Sequence, residues 1–156
     1  MKILITLLYI VFTYYTTLFS YPIGLAEFWG HKSTALLDLW VLQHIATGVI
    51  IAYILTKLTY FKQNYIWTIL LLSLFWESLE LILELGHLRG LDGVWTSGVE
   101  FWVNRSFIDP LAMLFGGYLL HLNRKIFPYS VFFTAIWLLL NLHFYLIVPI
   151  ESVIKV

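Results

Sequence analysis

The chain has no cysteine among its 156 residues, which excludes disulfides, iron–sulfur clusters and thiolate zinc sites. Charge is scarce too: Asp, Glu, Lys and Arg make up 12% of the residues, against roughly 25% in soluble domains. The nine basic and nine acidic residues cancel, and no basic run occurs, so nothing marks the chain for nucleic acid or for an acidic surface. What fills the sequence is hydrocarbon. It is 61% hydrophobic with a mean hydropathy of +0.87, the composition of an integral membrane protein. Any bound metal would need His, carboxylate and carbonyl ligands.

Five apolar segments are long enough, or nearly so, to cross a hydrocarbon core of about 30 Å. They cover roughly 3–20, 35–58, 65–85, 109–126 and 129–147, and predict a single-domain, all-α bundle of about five transmembrane helices. Lys2 ahead of a short apolar run resembles a signal peptide, but Thr16 to Ser20 lead into Tyr21-Pro22 without a small-residue cleavage pattern, so this segment is read as a helix. Lys2, Lys57, Lys62, Arg124 and Lys125 fall on one side in short connections with no acid among them. Lys32, Arg89, Arg105 and Lys155 fall on the other, mixed with acids in longer loops. The positive-inside rule then places the N-terminus in the cytoplasm and the C-terminus outside.

Within the third segment, Ser73, Glu77, Glu80, Glu84 and His87 fall in an arc of roughly 80° at 100° per residue, one polar stripe on an otherwise apolar helix. An ionisable group in hydrocarbon costs on the order of 2.5 to 3.5 kcal/mol, so this stripe must face protein, water or a bound ion. Counting ~1.5 Å per residue from the outer boundary puts Glu80 at roughly 10 Å, Glu77 at roughly 15 Å and His44 of the second segment at roughly 13 Å. Asp38 and Asp109 open their helices at the same boundary, with Asn104 and Arg105 just before the latter, and His143 with Asn141 approaches it from the fifth segment. The polar groups therefore converge in the outer half, under a long loop over 86–108 that carries Trp95, Phe101 and Trp102 at headgroup level and could serve as a lid or re-entrant segment. Asp109 followed by Pro110 predicts an N-cap and first helical residue. Ala46, Gly48, Ala52, Gly116 and Gly117 predict close helix packing.

Three chemistries fit these residues. Glu84 and His87 have the Glu-x-x-His spacing of helical metal sites, which predicts iron, manganese or zinc held with Glu80 and His44. Without metal, Glu77, Glu80, His44 and Asp109 offer general acid and base groups for a lipid-borne substrate, or a proton relay, with Asp38, Asn104, Arg105 and His143 as ligand-binding neighbours. The plainest reading is a hydrogen-bonded lock between helices. Haem between His44 and His143 is disfavoured, because their estimated depths differ by roughly 7 Å.

Asp38-x5-His44-x3-Gly48, Trp76-Glu77-x-x-Glu80, and Asn104 ahead of Asp109-x-x-Ala112-Met113-x-x-Gly116 together resemble small bacterial integral membrane proteins of the YjdF-like families and a related family of unknown function, and more distantly VanZ-like proteins. The resemblance spans about Asp38 to Gly117. It implies a multi-pass protein of the bacterial inner membrane, a shared polar set of His44, Glu77, Glu80, Asn104 and Asp109 with Asp38 beside them, and envelope or lipid chemistry. Glu84 and His87 extend the stripe beyond that pattern. The expected function is binding, and conversion where the chemistry allows, of a metal-associated or lipid-borne ligand, with membrane lipid as the partner. Alternatives are a proton- or ion-coupled transporter, weakened by the apolar inner half, and an accessory subunit meeting a second copy or a membrane complex.

Overall fold

The computed structural model describes residues 2–19, 27–30, 35–58, 64–85 and 100–152, with side chains for all of these except 16–19, 27 and 141–152. Five α-helices dominate: α1 Lys2–Phe19, α2 Leu39–Lys57, α3 Tyr65–Glu84, α4 Asp109–Leu122 and α5 Ile126–Ser152. A π-helical turn, Asn104–Ile108, leads directly into α4. The helical class expected from the sequence is observed, with one small addition. Strands β1 Glu27–Trp29 and β2 Ala35–Leu37 pair in parallel, Glu27 opposite Ala35 and Trp29 opposite Leu37.

The expected second helix therefore starts four residues late, at Leu39, because Asp38 is extended and its carboxylate accepts the Trp40 and Val41 amides as an N-cap. Among the described residues only α2 and α3 are long and apolar enough to cross a bilayer. The five spans read from the sequence are reduced to two by that measure. Helix α4, at 14 residues, is about 21 Å long and falls short of the core thickness by itself. It ends at Asn123, whose side chain accepts the Lys125 amide in a tight turn before α5.

Helices α2 and α4 run parallel and in contact. A Cβ on Gly48 would lie 2.0 Å from the Met113 carbonyl oxygen, and one on Gly116 would lie 2.0 Å from that of Ile45, so only glycine permits this approach. The glycines are thus packing positions, as their spacing predicts. Ala52 meets Gly117 one turn further on. Below this seam Val49, Ala52, Leu55, Ile69, Met113 and Leu120 form the buried apolar core. Ile5, Tyr9 and Phe12 share one face of α1 that turns inward, with Ile5 and Phe12 buried.

Candidate functional site

The Gly48–Met113 register fixes what lies above it. His44 is one turn before Gly48 on α2, Asp109 one turn before Met113 on α4, and both are carried to the same level. His44 Nε2 lies 3.3 Å from Asp109 Oδ2 and 3.8 Å from Glu77 Oε1 of α3. Glu77 is fully buried, and Asp109 and His44 nearly so. One ligand atom from each of the three lies within 4.8 Å of the others.

A second group sits beside this triad. Arg105, fully buried in the π-helical turn, donates to Glu84 Oε2 at 2.7 Å, pairs with Glu100 at 3.2 Å, and holds its Nε 3.6 Å from Glu77 Oε2. The Glu100 amide also donates to Glu84 Oε2. Asn104 donates to Glu100 Oε1 at 3.1 Å and to Asp38 Oδ2 at 3.2 Å, so the α2 cap, α3 and the turn before α4 are tied together. Glu80 is buried on the same stripe, within electrostatic reach of Glu77, Glu100 and Arg105.

The π-helical turn makes this division possible. In a regular α-helix Arg105 and Asp109, four apart, would share a face. Here the Asp109 amide bonds back to the Asn104 carbonyl, one residue further than an α-helix allows, and the wider turn aims Arg105 at Glu84 and Glu100 while Asp109 meets His44. Pro110 has no amide hydrogen for the Ser106 carbonyl, and the Tyr9 hydroxyl donates there, joining α1 to the site. The expected N-cap role of Asp109 is corrected: its backbone is helical, its side chain makes no cap bond, and helix continues back to Trp102.

Two groups outside α2 and α3 show the electrostatics. Burial pushes the Glu100 carboxyl up to about 8; Arg105 opposes this, while Glu80, Glu84 and Asp38 add to it. Burial would lower the Arg105 guanidinium, but Glu100, Glu84, Glu77 and Glu80 outweigh it and hold the group above its ordinary range.

The sequence-predicted site residues divide accordingly. His44, Glu77 and Asp109 come together. Asp38, Asn104 and Arg105 adjoin them, Asp38 as the α2 cap and all three within the polar network. Of the residues expected to hold a metal, Glu84 is engaged by Arg105 and the Glu100 amide, while Glu77 and Asp109 stand beside His44. His87 lies outside the described residues, as do the side chains of His143 and Asn141. The end of the long loop is helical from Trp102 and enters the cluster. Phe101, expected at headgroup level, is buried, and Trp102 packs edge-on to Phe107.

Sequence reasoning missed Glu100 and Tyr9. The first was legible in principle, since Glu100 and Asn104 are one helical turn apart. The second was not, because nothing in α1 marks one tyrosine among several.

Beside the site, between α1, α3 and α4, lies an apolar cavity of about 340 Å³. Tyr9 and Pro110 line it on the side of the site, Trp67 and Leu70 form its wall, and the exposed Ile10 and Leu111 its rim. No protein-family model, curated protein or solved structure matches the chain.

Proposed function

We propose that this chain is a multi-pass membrane protein that binds a lipid-borne ligand, its hydrocarbon part in the cavity beside α1 and its polar part at His44, Glu77 and Asp109. All five helices cross or enter the bilayer in this reading, with the N-terminus inside, the C-terminus outside and the site in the outer half of a bacterial inner membrane. The resemblance to YjdF-like and VanZ-like proteins is consistent with it. The observation that carries the reading is adjacency: Pro110 lines the cavity and directly follows Asp109, and Tyr9 lines it while lying in electrostatic reach of both Glu77 and Asp109. A concave, mostly apolar pocket of this size with a few polar groups at one side is the usual form of a small-ligand site.

The chemistry available there is acid–base. His44 Nε2 stands close enough to Asp109 and Glu77 for the imidazole to be oriented by one carboxylate while exchanging a proton with a ligand held at the other, and Glu80 lies along the same stripe. Transport has less support, because beyond His44 the seam is closed by Gly48, Ala52, Leu55, Met113 and Leu120.

Native mass spectrometry of the full chain released from lipid nanodiscs tests the proposal. One retained lipid per chain is expected, and Leu70→Trp, which fills the cavity, should remove it. A wild type that retains none, or equal retention in the filled variant, overturns the reading.

A further inference from the structure

We propose that His44 Nε2 and one carboxylate oxygen each from Glu77 and Asp109 hold a single divalent first-row metal ion. The inference deepens the ligand-binding reading and rests on it only for the place of the site.

The argument begins with hydrogen bonds. All four carboxylate oxygens of Glu77 and Asp109 are buried and make no hydrogen bond, although six other polar side chains crowd the same end of the bundle. Buried acceptors are satisfied in the great majority of native sites, and a lock between helices would use them. The neighbouring groups behave as such a lock: Glu84, Glu100, Asn104, Arg105 and Asp38 are joined by direct bonds. That lock itself leaves Glu100 Oε2, Asn104 Oδ1 and Arg105 Nη1 without hydrogen bonds. The triad goes further, since both of its carboxylates are bare. Its bare oxygens lie beside an imidazole nitrogen without bonding it, which is the arrangement of ligands around an ion.

Distances agree. Ligand atoms bound at about 2.0 to 2.2 Å around a tetrahedral ion lie roughly 3.4 Å from one another. The observed 3.3 and 3.8 Å from His44 Nε2 bracket that separation, and the whole triad falls within 4.8 Å. Charge agrees as well, since two carboxylates balance one divalent ion and leave no net charge in the low dielectric. Arg105 pairs with Glu84 and Glu100, and its Nε lies 3.6 Å from the far oxygen of Glu77, an outer contact to that ligand.

The donor set narrows the ion. One imidazole and two carboxylates, with no thiolate anywhere in the chain, suit zinc, manganese or iron rather than a copper(I) or thiolate site. Three protein ligands leave a coordination position for water or a ligand head group, the pattern of a reactive site and not of a structural staple. The ligands come from α2, α3 and α4, so the tight α2–α4 seam preorganises the site.

Cobalt(II) titration of the chelator-treated full chain in detergent, followed by its visible ligand-field absorption and by elemental analysis after dialysis, tests the proposal. One cobalt per chain with four- or five-coordinate bands is expected, displaced by zinc. Glu77→Gln, Asp109→Asn and His44→Gln should each weaken binding at least tenfold, while Glu84→Gln keeps one equivalent. Absence of stoichiometric cobalt in folded wild type overturns the metal, as does wild-type affinity in the three variants, and circular dichroism with size-exclusion elution establishes folding for each. Lipid retained without metal overturns this inference alone; metal bound without lipid overturns the lipid reading alone.

Discussion

At one end of the α2–α4 seam, Val49, Ala52, Leu55, Met113 and Leu120 close against Ile69 of α3. At the other, the same three helices set His44, Glu77 and Asp109 face to face, with Arg105 and its partners alongside. The spacing that builds both ends is the same helical repeat. The apolar end needs only shape, since any close contact there is favourable, whereas the polar end needs each carboxylate to have its own partner. The acids there divide into Glu84 and Glu100, held by Arg105 at 2.7 and 3.2 Å, and Glu77 and Asp109, which make no hydrogen bonds, Glu77 lying 3.6 Å from Arg105.

The seam shared by both ends is the place to break them together. Gly116→Leu would drive a side chain into the Ile45 backbone, and no flexible group can yield, so loss of folded protein in detergent is expected. Arg105→Gln should collapse the polar end selectively: it leaves Glu84, Glu100 and Glu77 without their cation, at a cost of about 3 to 5 kcal/mol in denaturation by detergent mixtures. In the apolar end, Ile69→Ala should cost less, about 2 kcal/mol, because it removes packing and leaves a cavity without unpairing any charge.

Acidity sharpens the contrast. The folded chain keeps the Glu100 carboxyl neutral up to about 8, while the unfolded chain ionises it from its ordinary 4.5, so this group makes stability fall as pH rises through that window. Glu100→Gln should flatten that part of the profile, and an unchanged slope of melting temperature against pH would refute the assignment. The smallest effects separate lock from site. Glu84→Gln should cost about 1 to 3 kcal/mol, because the Arg105 guanidinium and the Glu100 amide lose a charged acceptor. The matched Glu77→Gln in chelator-treated protein should cost less than Glu84→Gln, since its ion pair with Arg105 is the longer, at 3.6 Å, and no hydrogen bond is removed.

Much of this molecule is legible from residue spacing. Gly48, Gly116 and Gly117 mark the seam because nothing larger fits where backbones touch, and Glu77, Glu80 and Glu84 show one face because an α-helix turns 100° per residue. Apolarity at Ala35 to Leu37 does not distinguish helix from strand; those residues pair as a strand, and α2 begins after the Asp38 cap. The spacing of Glu84 and His87 along the chain says nothing of Arg105, which reaches Glu84 from the turn before α4.

The sequence by itself determined an apolar helical chain, a polar face on α3, a small-residue seam between α2 and α4, and a donor set limited to imidazole and oxygen. These follow from composition and from the fixed period of the helix. Only the tertiary structure decided which acid meets which base. That depends on the parallel register of α2 and α4 and on the π-helical turn at Asn104–Ile108, which sends Arg105 to Glu84 and Glu100 and leaves Asp109 to His44 and Glu77.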